Sequence, residues 1–411
     1  MASLPQLQEL FTRVYNSTYS SFYRNFYGPS VSVAPDTLLT WESLPLLTKA
    51  DVIRTPYNER IFISPSEVDI VRMTSGTTSS GVLAIPRAKM PYTKAEASFM
   101  PVDCYMGFLL PHRVYDNYTK PGARFIGGDP ARLAESAALA AHMGIEGIGA
   151  LPSTLIAFAE PLSAVYDINR IRHLCFNGDV CTKLQHSALS KLYPSVKTMV
   201  SAYGSSETQG LCGVSIEYSG HENALLGHPS VHYEIVDSAG VAIAETPAEG
   251  ELVVSILYEH AAFPLVRYKT GDTVLMLERS AERTVFAVQG RTASDRVRFS
   301  AGSILLPELE RAISVVTKGM VADFEATVRE ERNAEKPLTS LSIILISPPL
   351  YADTISPDIA RHIEEELRVS EHRTYAEAVR RGACTPITCS IEGLTYGFGR
   401  KRRRLTDARE R

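Results

Sequence analysis

Four short stretches of the chain concentrate groups suited to phosphate and sugar chemistry. Residues 74–81 read TSGTTSSG. Consecutive backbone N–H groups in a glycine turn, with hydroxyls turned inward, can surround phosphate oxygens. The spacing is not GxxxxGK[ST], which disfavours the nucleotide loop built on that pattern; a flexible surface linker is the plain alternative. Glu207, in SAYGSSETQG, stands just past a predicted strand and a glycine turn. A carboxylate placed there can hold Mg²⁺, which prefers oxygen ligands and accompanies nucleotide phosphates, or it is simply a solvated glutamate. Asp272, in VRYKTGD, is predicted at a turn after an apolar strand. Its two acceptor oxygens suit a pair of ribose hydroxyls or its own backbone in a type I turn. Arg291, after Gly290, presents a fixed donor fork that can meet ribose or phosphate oxygens.

The elements that must position these groups alternate along the chain. A helical pattern covers 6–26, and Thr48 is placed to cap a short helix in LPLLTKADVIR. DIVRM and VLAI flank the hydroxyl loop as strand, polar loop, strand. PARLAESAALAAHM predicts a helix from Pro130 to Met143, with Gly144 at its end. GIEGIGA, IRHLCFNGD and VKTMVSAYG read as short strands between helices, including one over Lys183–Tyr193, which argues for α/β layers. From 227 to 290 the texture becomes strand upon strand with Gly, Asp and Pro turns, an antiparallel, barrel-like subdomain. Beyond it come helices over Leu305–Ile313, Pro357–Leu367 (capped by Ser356) and Thr374–Arg381, with a strand at Leu341–Ile346. A small α+β domain follows from these.

With 411 residues the chain has room for roughly two or three domains. Apolar residues make up 45% and charged residues 21%, as in ordinary globular proteins. A net charge of −4 gives no global pull toward nucleic acid or an anionic membrane. No stretch approaches 18 uninterrupted apolar residues, and the opening MASLPQLQELF lacks the basic flank and apolar run of a secretory signal. The six cysteines form no CxxC pair and no zinc spacing. Buried thiols in a cytoplasmic protein are the expectation.

In this order the four stretches resemble the signatures of the AMP-forming adenylating superfamily: acyl- and aryl-CoA synthetases, luciferases and peptide-synthetase adenylation domains. The likeness runs from about Leu44 to Arg404, and LPLLTKADVI with RYKTGD is most similar to the phenylacetate-CoA ligase branch. It implies an α/β fold with a large N-terminal domain of layered subdomains, residues 1–294, and a small mobile C-terminal domain, residues 295–411. It implies that Thr74, Ser75, Gly76, Thr77 and Thr78, with the rest of the loop to Gly81, embrace the β- and γ-phosphates of ATP. Gly178 and Asp179 in CFNGD would border the adenine and acyl pocket. Tyr203 and Gly204 would line the adenine or substrate wall, and Ser205 or Ser206 would lie near the α-phosphate. Glu207 would be the magnesium ligand. Asp272 and Arg291 would hold the ribose, and Asp295 would be the hinge.

Three departures accompany the resemblance. Ser79, Ser80 and Gly81 stand where the family loop has glycine, lysine and proline, which removes a mobile cation near the phosphates. In GRTASDRVRFSAG the hinge is one residue longer, Ser294 replaces an aspartate, and Ser300 and Ala301 replace an arginine-glycine pair. The terminal catalytic lysine has two candidates: aligning Gly399 with the family glycine puts Arg400 on the lysine, with Lys401 beside it. Arginine is a delocalised fork rather than a compact ammonium. The run Arg400–Arg404 also reads as a solvated terminus, or as a phosphate-binding patch without an aromatic platform or recognition helix.

The resemblance therefore implies ATP-dependent activation of a small aromatic carboxylic acid to an acyl-AMP. Pyrophosphate leaves, and the acyl group passes to CoA. Cofactors are ATP and Mg²⁺, with CoA as co-substrate. An amide-forming ligase that uses an amine acceptor is one alternative, and a degenerate nucleotide- or acyl-binding module another. No nucleic-acid or membrane partner is expected, and the chain would be a monomer or homodimer. Tyr105, Phe108, Phe176 and Tyr203 suit an aromatic acid and equally suit a core.

Overall fold

The computed structural model describes residues 2–28, 34–73, 83–88, 102–108, 122–178, 181–218, 221, 224–259, 261–291, 296–299, 302–331, 338–348, 351, 355–393 and 404–409. The N-terminal pattern forms two helices rather than one, α1 (Leu4–Tyr15) and α2 (Phe22–Tyr27). Ser17 and Ser20 interrupt it. The Ser17 hydroxyl accepts the Ser20 N–H, and Arg24 donates to the carbonyls of Tyr15 and Ser17. Such local bonds compete with the helix. Helix α3 (Leu38–Glu42) carries Trp41, and α4 (Lys49–Arg54) starts at the expected Thr48 cap, completed by Asp51. Strands β1 (Val68–Met73) and β2 (Ala84–Ala88) pair antiparallel on either side of the hydroxyl loop.

An α/β run follows: β3 (Cys104–Gly107), β4 (Arg124–Gly127), α5 (Leu133–Met143), β5 (Gly147–Ala150), α6 (Pro152–Ser163), β6 (His173–Asn177) and α7 (Lys183–Leu192). Helix α5 begins three residues later than its sequence suggests, because Asp129 Oδ1 accepts the Ala131 N–H in a local turn. It ends at Gly144, whose φ of 65° is the left-handed cap position open to glycine.

Antiparallel strands come next: β7 (Thr198–Gly204), β8 (Leu211–Ser215), β9 (Ala224–Gly227), β10 (Val231–Val236), β11 (Ala248–Ile256), β12 (Tyr268–Arg279) and β13 (Thr284–Arg291). The last section holds β14 (Arg296–Phe299), β15 (Gly302–Leu305), α8 (Leu306–Thr317), β16 (Asp323–Glu331), β17 (Leu338–Ser347), α9 (Ile359–Glu366), β18 (Arg368–Ser370), β19 (Arg373–Thr374), α10 (Tyr375–Arg380), β20 (Thr388–Gly393) and β21 (Leu405–Asp407). Asp358 rather than Ser356 is the residue before α9, while the Ser356 hydroxyl accepts the Asp358 N–H.

These elements form two compact units, Met1–Thr93 with Val200–Thr292 and Lys94–Met199 with Ala293–Arg411. In the first, the strands pair in the order β10-β11-β12-β13-β9-β8-β7, and the strands from which the sequence reading built a barrel lie in this linear series. The helices α1 to α3 contribute Leu7, Phe11, Tyr23 and Trp41 to the same apolar core as Tyr233, Val254 and Phe286. The second unit contains a parallel set, β6-β5-β3-β4, and a four-stranded set, β20-β17-β16-β21, whose central pair is antiparallel.

A charge pair lies inside the first unit. Arg267 and Glu234 are each 1% exposed, with Arg267 Nη2 2.9 Å from Glu234 Oε2. Trp41 Nε1 donates to Glu234 Oε1 at 3.1 Å, and Arg267 also donates to the Leu44 carbonyl. Arg267 holds φ at 47°, a region that costs a non-glycine residue about 1–3 kcal/mol unless its surroundings enforce it. Here the clamped guanidinium enforces it. His232 Nε2 lies 3.9 Å from Glu234 Oε1. Burial first, then Arg279 and Arg267, push His232 down to about 3, so it is neutral.

Glu234→Gln should cost about 3–5 kcal/mol in chemical denaturation, because it leaves a buried guanidinium without its counter-charge. His232 makes stability pH-dependent with a definite sign. The unfolded chain binds its proton near pH 6.5 and the folded chain only near 3, so stability falls as pH drops through that window. The slope should reach about 1.4 kcal/mol per pH unit from this group, and His232→Gln should reduce it.

Candidate functional site

The turn after β7 is built to hold Glu207 still. Ser205 N–H donates to Thr208 Oγ1 at 2.9 Å, and Thr208 N–H returns a bond to Ser205 Oγ at 3.2 Å. Gln209, buried and at φ 59°, locks the end of the turn. Its amide nitrogen donates to the Phe263 carbonyl and its amide oxygen accepts the Ala262 N–H at 3.1 Å. Glu207, 12% exposed, faces Lys49 Nζ at 3.7 Å. Lys49 is delivered by α4, which follows a clip onto β12. Leu47 N–H donates to the Arg267 carbonyl at 3.0 Å, and Lys269 N–H donates to the Leu47 carbonyl at 2.9 Å. Sequence reasoning missed Lys49, Thr208 and Gln209. The reciprocal Ser-x-x-Thr spacing was the one signal available for the turn.

Asp272 lies inside β12, not at a turn after a strand as its sequence suggested. Gly271, at φ 79°, kinks the strand there. The Tyr203 hydroxyl donates to Asp272 Oδ2 at 2.6 Å, and the Asp272 N–H donates to Thr270 Oγ1 at 3.2 Å. Burial, then the Asp272 carboxylate, push the Tyr203 phenol well above its ordinary range, so it remains a donor. Its ring meets Phe286 edge-on at 5.7 Å. In the β12–β13 register Asp272 stands opposite Arg291. The structure thus brings Tyr203, Asp272 and the Arg291 backbone together, and pairs Glu207 with Lys49 a few residues further along the strand-turn. Gly204 ends β7, opposite Leu211, and Ser206 accepts the Gln209 N–H at 3.3 Å.

The remaining candidates are distributed otherwise. Thr74, Ser75, Gly76, Thr77, Thr78, Asp179, Asp295, Arg400, Lys401 and the Arg291 side chain lie outside the described residues. Gly178 follows β6 in the second unit with φ 81°. Phe108 and Phe176 are 6% and 2% exposed within an apolar cluster that includes Phe158 and Leu174, so they are core residues. Tyr105 is buried against Phe125. All six cysteines are free thiols and all but Cys389 are buried, as expected. Arg404 is not part of a solvated basic run: its Nε lies 2.6 Å from Asp323 Oδ1, and the two side chains are 12% and 6% exposed.

A metal ion at Glu207 would find one carboxylate, and that carboxylate is paired with Lys49. Among the described residues no three acidic, His or Cys side chains form a cage. Mg²⁺ in phosphate chemistry uses one or two carboxylates plus substrate oxygens, and Glu207 already has a cation 3.7 Å from one oxygen. No described helix is long and apolar enough to cross a membrane.

No family profile matches the chain, and no curated protein matches it by sequence. Solved structures do. A 2-hydroxyisobutyryl-CoA ligase in its postadenylation state, bound to 2-HIB-AMP, is 16% identical with a TM-score of 0.72, over 98% of this chain and 88% of that one. An acyl acid amido synthetase in complex with 2,4-DB is 13% identical with a TM-score of 0.62, over 95% and 86%. An anthranilate CoA ligase bound to anthranoyl-AMP is 14% identical with a TM-score of 0.53, over 78% and 62%. At this identity the likeness carries the fold: the chain has the mixed α/β fold of adenylate-forming ligases.

Gln209→Ala should leave the Phe263 carbonyl and Ala262 N–H without their partner and lower the unfolding free energy by about 1–3 kcal/mol. Amide hydrogen exchange at 205–210 should accelerate in the same variant.

Proposed function

We propose that this chain is an AMP-forming ligase that activates a small carboxylic acid with ATP and transfers the acyl group to CoA. The observation that carries this reading is the joint placement, on an adenylate-forming ligase fold, of Glu207 beside Lys49 and of Asp272 held by Tyr203. In the first step a carboxylate oxygen of the acid bonds to the α-phosphorus as the bond to pyrophosphate breaks. In the second, the CoA thiol sulfur bonds to the acyl carbon and AMP departs. Catalysis of this kind rests on alignment and on charge neutralisation at phosphate oxygens.

The chain's own residues have distinct parts in this proposal. Asp272, oriented by the Tyr203 phenol, accepts the ribose hydroxyls, with Arg291 on the neighbouring strand. Residues Thr74–Gly81 embrace the phosphates, and Gly178 and Asp179 border the pocket. Glu207 would hold Mg²⁺, which supplies positive charge to the phosphate oxygens when bound. Lys49 supplies the nearby cation that the phosphate loop lacks at Ser79–Gly81. Lys401 or Arg400 serves the terminal position, and residues 295–411 act as the mobile lid about Asp295. An aryl acid is the proposed substrate class, resting on Tyr105 and Tyr203 because Phe108 and Phe176 are committed to the core. A cytoplasmic monomer or homodimer completes the proposal.

The amide-forming alternative is favoured by the likeness to the acyl acid amido synthetase over 95% of the chain. With a panel of acids, the first step is read as pyrophosphate release. Adding CoA or amines then separates the acceptors by product mass. Glu207→Gln should lower magnesium-dependent pyrophosphate release about a hundredfold or more, the order seen when a transition-state charge partner is removed, while thermal unfolding is little changed. Undiminished release in that variant would remove Glu207 from the reaction.

A further inference from the structure

Residues 57–62 lie between two parts of the first unit and bond to both. Tyr57–Arg60 form a single 3₁₀ turn. Arg60 is 7% exposed, an unusual depth for a guanidinium without a carboxylate partner. Its Nη1 donates to the Ala84 carbonyl at 2.7 Å, and its Cζ lies 5.8 Å from the centre of the Tyr57 ring. Its Nε has no hydrogen-bond partner among the described residues. Ala84 begins β2 and stands opposite Met73, the last paired residue of β1 before residues 74–81. The flanking Leu83 and Ile85 are buried in the same apolar core as Phe62.

The other end of the segment reaches the Glu207 turn. The Phe62 N–H donates to the Ala262 carbonyl at 2.8 Å. The Ala262 N–H in turn donates to Gln209 Oε1 at 3.1 Å, one of the bonds that lock the turn at 205–210. The Phe62 ring lies 5.5 Å from Tyr23 and 6.0 Å from Phe263. Between these ends, Glu59 anchors the segment to the start of α2. Its carboxylate accepts the Ser21 hydroxyl at 2.7 Å and the Ser21 N–H at 3.3 Å, and its carbonyl accepts the Ser20 hydroxyl.

We infer that Arg60 is a positioning residue that holds the β1–β2 hairpin at a fixed separation from the turn carrying Glu207. Strands β1 and β2 form a sheet of their own. A two-stranded hairpin is marginal by itself and takes its placement from what it rests on. An apolar side chain of similar volume would fill the Arg60 site without the cost of burying a charge. What the guanidinium adds is a directional, charge-assisted bond to one backbone oxygen at the loop end of the hairpin. Arg60 and Phe62 are two residues apart, so one short, anchored segment reaches from the hairpin to the brace of the turn. In the proposed reaction residues 74–81 and Glu207 serve the same phosphates, and misplacement by about 1 Å can cost about a hundredfold in rate. The consequence for phosphate binding rests on the proposed function; the placement of the hairpin does not.

Equilibrium binding of ATP and of AMP to the full chain, with Mg²⁺ and without an acid, tests the role. AMP ends at the α-phosphate, so only ATP reports on the groups assigned to residues 74–81. Arg60→Met keeps the volume and removes the donor. It should weaken ATP binding about tenfold, the order set by one charge-assisted hydrogen bond, and change AMP binding less than about twofold. Arg60→Lys, which keeps a cationic donor, should restore part of the loss. Ser21→Ala loosens the Glu59 anchor without a change in the apolar core, and should weaken ATP binding about threefold at unaltered AMP affinity. These two variants carry the comparison should Arg60→Met fail to fold. Equal losses for ATP and AMP, or none for either, overturn the positioning role.

Hydrogen exchange reads the placement without nucleotide. In the same variants the amides of Ile85, Arg87 and Ala88 should exchange about threefold faster or more, while those of Val253 and Val254 in β11 keep their rates. Unchanged exchange in β2 in every variant overturns the inference. A parent chain that binds neither nucleotide overturns the proposed function, and the exchange result then decides the placement of the hairpin alone.

Discussion

The first unit depends on one buried ion pair. Arg267 reaches Glu234 across the sheet, takes the Leu44 carbonyl, and shares Glu234 with Trp41. Such a pair adds little net stability over an apolar replacement, because desolvation of two charges offsets their attraction. What it supplies is registry. The α3–α4 segment is tied to the start of β12, and the same Arg267 backbone that adopts φ 47° receives the Leu47 N–H. Lys49 follows two residues after that contact and Asp272 follows Arg267 by five. A single interaction thereby sets the phase of both groups that the proposed chemistry requires.

The site is organised by hydrogen bonds between neighbours in space, each held by an element with its own constraint. Tyr203 leaves β7 to meet Asp272 on β12, and its phenol stays protonated because burial and the carboxylate both oppose ionisation. Two residues in left-handed backbone conformations, Gln209 and Arg267, flank the region, and both have side chains bonded at more than one point. Strain at such positions persists only when surrounding contacts over-determine it. The rigidity of the turn at 205–210 therefore originates at Phe263 and Ala262, more than fifty residues along the chain.

Local patterns made much of this legible. The Thr48 cap, the paired strands Val68–Met73 and Ala84–Ala88 and helix α7 follow from residue spacing alone. The stretches around Glu207 and Asp272 are readable because their residue types suit oxygen-rich ligands. What escaped is what depends on distant partners. Glu234 lies in the strand VHYEIV, and its burial follows only from Arg267 and Trp41, which arrive from elsewhere. Asp272 reads as a turn residue because TGD has turn chemistry, whereas pairing with β11 and β13 carries the strand through a glycine kink. Arg404 reads as one more charge in a basic run, and only Asp323 removes it from that run. Phe108 and Phe176 show the converse limit: an aromatic side chain suits a pocket and a core equally, and packing alone decides.

The departures from the adenylating pattern have a distribution that argues about mechanism. They fall in residues 79–81, 294–301 and 400–401, while the sequence keeps the motif residues Tyr203, Glu207 and Asp272. The residues that match are those fixed by short hydrogen bonds or a close ion pair within one unit. A group that must sit within a few tenths of an ångström of its target tolerates little substitution, since misplacement by about 1 Å can cost about a hundredfold in rate. A mobile cation acts over a longer range and through charge more than shape. Lys49 is a cation of that kind, already beside the carboxylate that the pattern assigns to the metal. In the proposed reaction Lys49, within the LPLLTKADVI stretch that carries the resemblance, is a cation of that range beside Glu207.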